Sequence, residues 1–213
     1  MGKLIDVQHA VCHSSSLTLN FRWIQLVETL ARQWPIKIVT IGWSSTEGDG
    51  TSDLAASSYP SRLQDTLRNR WPTASVTVVN KGVDEVARFK SDVTAQDPVL
   101  VIRRVGTNSV WSDHCVEEVT SAIIRGFGRP SRRKMDIIVM DLQYAPALVT
   151  PTRLTDCERM VSWIGAFAKE TGVNVFRRFA LMRHWNPVDR IPLDQMINNH
   201  DGNELHQNDG TYA

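Results

Sequence analysis

Four residues of this 213-residue chain can act together chemically, and each stands at or beyond the end of an apolar run. Ser44 lies in Gly42-Trp43-Ser44-Ser45-Thr46, directly after IKIVTI. Gly82 follows SVTVVN and Lys81, Asn108 follows VLVIRRV in Gly106-Thr107-Asn108, and His206 stands far downstream in DGNELHQND. A serine hydroxyl is a weak nucleophile until a base takes its proton, and histidine is the side chain whose pKa suits that task near neutrality. Attack on a carbonyl leaves an oxyanion that needs donors aimed at it. The Ser44 N–H, the Gly82 N–H and the Asn108 amide supply three.

Something must hold these residues together, and the pattern of the chain says what. Five short runs rich in β-branched residues recur: IKIVTI, SVTVVN, VLVIRRV, DIIVMDL and VNVFRRF. Between them lie stretches with helical spacing, YPSRLQDTLRNRW, CVEEVTSAIIRGF and LTDCERMVSWIGAFAKETG. This alternation predicts an α/β domain with a parallel sheet between helices. Right-handed crossovers put the loops after each strand on one edge, where open sheets place their chemistry. Before the first strand, FRWIQLVETLARQW reads as an extra amphipathic helix ended by Pro35. Residues 1–35 are therefore expected to form an N-terminal extension packed on a single domain, residues 36–213.

The order Ser44, Gly82, Asn108, His206 resembles the SGNH hydrolases, also called GDSL esterases and lipases. Their Gly-Asp-Ser-x-Ser/Thr block matches Gly42 to Thr46 except at Trp43, and their Gly-x-Asn-Asp block matches Gly106 to Asn108 and departs at Ser109. The phrases SSTEG, YPSRL, VGTNSVW, DLQYAP and FRRFALMRHW are similar to a bacterial branch of that superfamily, so the likeness extends over most of the chain. It implies a three-layer α/β/α fold with a five-stranded, flavodoxin-like parallel sheet. The nucleophile would sit at the positive end of the helix after the first strand. The resemblance also implies ester hydrolysis through an acyl-enzyme, without metal or cofactor. A short acyl group, acetyl on a carbohydrate, is the expected substrate. The competing expectation is a catalytically weak relative that binds a glycan or an acylated ligand in the same cleft.

Departures from the family pattern cluster near the same edge. The family's Asp-x-x-His block would place aspartate at Asn203, where an amide carries no charge to stabilise imidazolium. Asp201, five residues before His206, is the favoured substitute orienter, ahead of Glu204, with Asn203 itself the remaining choice. Asp84 and Glu85 stand where the branch has glycines, and Arg103 and Arg104 where it has Trp-Gln. Alternation along a strand points the two arginines to opposite faces. Either Asp84 or Glu85 pairs with one of them at the rim of the site, or both snorkel to solvent.

Other residues and the composition narrow the function. His184 is read as structural, and Gln143-Tyr144 as pocket lining. The tryptophans at 23, 34, 71, 163 and 185 are read as packing anchors, with Trp43 and Trp111 as candidates for an acyl or sugar pocket. A net charge of +1 makes no case for a nucleic-acid or anionic-membrane partner. Cys12, Cys115 and Cys157 match no zinc spacing or disulfide framework, and Cys115 and Cys157 read as core thiols. No apolar run is long enough to span a membrane. Turns of the GWSSTEGDG type lack Gly-Lys-Ser/Thr and carry acids that repel phosphate, which argues against a nucleotide binder. The branch usually carries an export signal, favouring a periplasmic or secreted protein over a cytoplasmic one, and continues into a closing helix where this chain reaches Tyr212-Ala213.

Overall fold

The computed structural model of the chain describes residues 19–82, 93–114, 134–198 and 202–212. Five parallel strands form one sheet: β1 (Ile36–Ile41), β2 (Val76–Lys81), β3 (Leu100–Arg104), β4 (Asp136–Met140) and β5 (Asn174–Phe176), in the order β2-β1-β3-β4-β5. This is the expected flavodoxin-like arrangement. The chain moves outward from β1 to β2, then crosses to β3 on the other side, so β1 lies at the point where the strand order reverses. Ile41 is paired with Lys81 on one side and with Arg103 on the other. The loops after β1, β2 and β3 are consequently neighbours at the carboxyl edge.

Alternation along the strands builds a core on each face. Ile36, Ile38, Val76, Leu100, Ile102 and Ile138 face α1 (Ile24–Ala31) and α4 (Tyr59–Arg70), meeting Trp23, Leu26, Leu63 and Leu67. Ile137 and Val139 face the opposite way, against Cys157, Met160, Ile164 and Phe167 of α6 (Leu154–Thr171). The result is three layers, α/β/α. Between α1 and α4 the chain forms two four-residue helices, α2 (Ser44–Glu47) and α3 (Leu54–Ser57); α5 (Thr107–Trp111) follows β3, α7 (Arg178–Trp185) follows β5, and α8 (Asp209–Tyr212) comes last.

The helix before β1 is tied down by side chains far along the chain. Asp136 at the start of β4 accepts from the N–H groups of Ile24 (3.1 Å) and Leu26 (2.8 Å) at the first turn of α1. Its negative charge complements the unsatisfied donors there. Asn174 brackets Phe21 with two bonds to its backbone, at 2.9 and 3.0 Å. The helix stops at Ala31, four residues before Pro35, because Gln33 takes a left-handed conformation (φ 56°).

Several sequence expectations need correction. The run VNVFRRF is strand only over Asn174–Phe176, since Arg178 begins α7. Trp34, Trp71 and Trp163 are exposed rather than packing anchors, and Arg32 stacks over the Trp34 ring at 4.7 Å. Arg103 (5% exposed) and Arg104 (7%) do not snorkel to solvent: they are the last two residues of β3, yet both are buried. The expected helix CVEEVTSAIIRGF, together with Cys12, Cys115, Asp84 and Glu85, lies outside the described residues.

Candidate active site

The Ser44 turn follows from the sheet. Pairing with β2 continues one step past the strand, Gly42 N–H donating to Lys81 O at 3.4 Å, before the backbone turns at Trp43 (φ −92°, ψ −163°). The Trp43 carbonyl then accepts from Thr46 N–H (2.7 Å) and Glu47 N–H (3.2 Å), winding α2 with Ser44 as its first residue. A first-turn N–H has no acceptor within its own helix and is available to a ligand atom. The Trp43 side chain is 53% exposed beside it.

β2 and β3 bring the next two residues to the same edge. Gly82 is buried against α2, where a Cβ would collide with the backbone N and Cα of Glu47, so no other residue allows this approach. Asn80 secures the contact by donating to Glu47 O at 3.2 Å. Asn108 sits in the first turn of α5 beyond β3, half-buried, and its side-chain amide has no hydrogen-bond partner among the described residues. That amide is a donor at the carboxyl edge of the sheet that no described residue uses.

His206 comes from a loop on the far side of the sheet edge. Its Nε2 lies 2.8 Å from Ser44 Oγ. The loop is held by an isolated antiparallel bridge, Ile197 to Gln207, and by Asn198, whose N–H donates to His206 O (2.8 Å) and whose amide donates to Gly50 O (2.9 Å). Gly50 has φ +95°, and a Cβ there would strike Gln207 O and the His206 side chain. Asp209 at the start of α8 takes bonds from Ser52 N–H (2.9 Å) and Ser52 Oγ (2.6 Å), pinning the loop to the segment after α2.

The other ring nitrogen meets the residue that departs from the family pattern. Asn203 Nδ2 lies 3.3 Å from His206 Nδ1, while Asn203 Oδ1 accepts from Leu205 N–H at 2.9 Å. A backbone N–H only donates, so it must face the amide oxygen, which turns the amide NH2 toward the ring. The donor and acceptor roles in this contact depend on the ring tautomer, and a general base at Nε2 needs the ring proton on Nδ1. Glu204 is exposed, in a left-handed conformation (φ 53°), and makes no hydrogen bond to His206. Asp201 lies outside the described residues.

Beneath the site runs a buried polar network that the sequence reading did not anticipate. Arg104 Nη1 donates to Ser45 O and its Nη2 to Gln143 Oε1 at 2.9 Å, with the guanidinium 5.6 Å from the Tyr59 ring centroid. The expected pairing of Asp84 or Glu85 with one of the two arginines lies outside the described residues. Arg178, at the start of α7, reaches Gln143 Oε1 (3.2 Å), Gln207 Oε1 (3.2 Å) and Thr107 Oγ1 (3.5 Å). Gln143 is fully buried (0% exposed) rather than a pocket-lining residue, and its amide donates to Leu205 O. The signal was present as polar residues inside apolar runs, Arg104 in VLVIRRV and Gln143 after DIIVMDL.

Titration of the surrounding groups follows burial. The Tyr59 hydroxyl is pushed up by desolvation, against the lowering pull of the Arg104 charge. The Asp141 carboxyl is pushed up to about 6 by burial, partly offset by the Phe179 N–H and the Arg178 charge. Burial, with Asp156 and Glu158 nearby, raises the Cys157 thiol to about 12, so it is an inert core thiol. Among the described residues no group of three or more His, Cys, Asp or Glu is arranged to hold a metal ion, and no helix is long and apolar enough to cross a membrane. His184 lies in the last turn of α7. Trp111 packs on the core and is capped by the Arg153 guanidinium at 4.8 Å.

Comparison with known proteins identifies the family and the fold. The model of the Non-GDSL lipase-like family matches residues 10–208. An acetylxylan esterase of Geobacillus stearothermophilus is 31% identical over 83 residues, 36% of this chain and 38% of that protein. A two-domain esterase active on acetylated mannans superposes with a TM-score of 0.69 at 17% identity, over 91% of this chain and 51% of that one. A G-D-S-L family protein from Desulfitobacterium hafniense gives a TM-score of 0.64 at 23% identity, over 83% and 93%. The chain thus aligns with about two fifths of the first of these relatives and about half of the second. The structural likenesses establish the fold.

Proposed function

Because the chain belongs to the Non-GDSL lipase-like family, within the SGNH-like hydrolases, we propose that it hydrolyses short acyl esters, acetyl esters of carbohydrates in the first place, through an acyl-enzyme on Ser44. The single observation that carries this reading is the 2.8 Å contact between Ser44 Oγ and His206 Nε2 at the carboxyl edge of the sheet. In the first step Ser44 Oγ bonds to the ester carbonyl carbon while its proton passes to His206 Nε2. The oxyanion is held by the N–H groups of Ser44 and Gly82 and by Asn108 Nδ2. Collapse expels the alcohol, which takes the proton from His206. Water then gives a proton to the same nitrogen, attacks the acyl carbon, and releases the acid and free Ser44.

The carbohydrate assignment is supported by the names of two similar proteins, an acetylxylan esterase and an esterase active on acetylated mannans. The exposed face of Trp43 beside Ser44 suits a sugar ring. Ser44→Ala should abolish acetate release from acetylated xylo-oligosaccharides, while Ser45→Ala should leave most of it. Equal activity in both variants would remove Ser44 from the reaction.

One observation favours the second reading, a weak enzyme that mainly binds its ligand. Asn203 places an amide rather than a carboxylate 3.3 Å from His206 Nδ1, and an amide poorly stabilises the imidazolium that forms when His206 takes the Ser44 proton. On this reading acetylated oligosaccharide binds with the same affinity to the wild type and to Ser44→Ala, and turnover is slow.

A further inference from the structure

Two loops from opposite ends of the sequence must stay within one hydrogen bond of each other for Ser44 and His206 to work as a pair. Their own contacts with the surface segments are short side-chain bonds at the periphery. Below them, one continuous buried connection joins the two. It starts at the carbonyl of Ser45, next to the nucleophile, passes through the Arg104 guanidinium to Gln143 Oε1, and leaves through the Gln143 amide to the carbonyl of Leu205, next to His206.

We infer that Arg104 and Gln143 form a positioning strut that sets the spacing between Ser44 and His206, and that Gln143 is an amide because it must accept at one end and donate at the other. This inference rests on the reading of Ser44 and His206 as a catalytic pair. The charge balance of the network is what singles out the amide. Arg104 and Arg178 are both buried, and both donate to the same Gln143 Oε1. A carboxylate would serve two guanidiniums better than a neutral oxygen does, since an ionised acceptor makes the stronger bond. A carboxylate cannot, however, donate to Leu205 O. The chain keeps the weaker acceptor and with it the bond that holds the histidine loop.

Two variants separate this role from plain packing. Gln143→Glu keeps an acceptor for both guanidiniums, loses the donor to Leu205 and adds a negative charge; its melting temperature serves as the check that it folds. Gln143→Met has similar volume, no charge and neither bond. The strut requires kcat on an acetyl ester to fall about 100-fold in both, with KM nearly unchanged, as expected when a reacting group is misplaced by about 1 Å. A loss confined to Gln143→Glu would trace to its negative charge and overturn the inference, as would unchanged kcat in either folded variant.

A second readout does not depend on turnover. The His206 ring NMR signals should change on Ser44→Ala, which removes the contact, and Gln143→Glu should reproduce that change. Wild-type His206 signals in Gln143→Glu contradict the strut. If the wild type shows no Ser44-dependent hydrolysis, the catalytic reading fails, and the ring signals still decide whether Gln143 sets the Ser44–His206 contact.

Discussion

The Ser44 turn and the His206 loop meet at one hydrogen bond, yet they are built by different means. The turn is an extension of the sheet: β1 is paired on both sides up to Ile41, Gly42 adds one more bond to Lys81, and Gly82 lets α2 settle onto the end of β2. Among the described residues the loop has one isolated bridge and one further backbone bond, from Ala147 N–H to Glu204 O (3.4 Å), and side chains add the rest: Asn198 on Gly50, Asp209 on Ser52, Arg178 on Gln207 and Gln143 on Leu205. Backbone pairing fixes position regardless of side-chain identity, whereas each side-chain bond is lost by one substitution. Departures from the family pattern occur on both sides: the nucleophile side keeps Ser44, Gly82 and Asn108 but differs at Trp43 and Ser109, and the histidine side has Asn203 where the pattern has aspartate.

The comparison breaks first at Asn108. Its half-buried amide has no hydrogen-bond partner among the described residues, so Asn108→Ala should leave stability nearly unchanged and lower kcat by roughly 10²–10³ with little effect on KM. Steady-state kinetics with a thermal melt checks both halves. Equal losses in KM and kcat would make Asn108 a packing or binding residue, and the sheet-borne side of the site would lose a donor.

The histidine side should respond in the opposite sense. Asn203→Asp supplies one carboxylate oxygen to Leu205 N–H and the other to His206 Nδ1–H, placing the ring proton on Nδ1 and freeing Nε2 as a base. Activity should rise about tenfold or more, the direction expected from the large loss that the reverse exchange causes in a serine protease. An unchanged rate would mean that His206 already has a carboxylate partner. Asp201→Asn should then be the variant that loses activity.

The smallest effect concerns the support behind the loop. Asp141 accepts from Phe179 N–H and so anchors the start of α7, from which Arg178 reaches Gln207. Its carboxyl, raised from 3.8 to about 6, is favoured by the fold in its neutral form. The associated stability is present below about pH 4 and lost as pH rises through about 6. The difference in melting temperature between wild type and Asp141→Asn should therefore shift against the wild type across that window and be flat above it. A difference that does not vary with pH would separate Asp141 from this titration.

The same contrast explains what could be read from the sequence. Strand runs, helical spacing and the strand-end positions of Ser44, Gly82 and Asn108 are local patterns, so the five-stranded parallel sheet and the edge that bears these residues were legible. Periodicity did not mark the end of β5 at Phe176, because FRRF continues as helix rather than strand. The roles of Arg104, Gln143 and Arg178 were hidden for another reason. Each is a polar residue whose partners lie far away in sequence, 59 residues from Arg104 to Ser45 and 62 from Gln143 to Leu205. No spacing rule reaches across such distances, and only their position inside apolar runs hinted at buried partners.

Covalent labelling tests the Ser44–His206 pair most directly. Treated with a fluorophosphonate and digested, the wild type should yield a single modified peptide bearing the adduct on Ser44, and Ser44→Ala should yield none. His206→Ala should label far more slowly, because without the imidazole nothing takes the Ser44 proton. An adduct on another serine, or a labelling rate in His206→Ala equal to that of the wild type, would contradict the account.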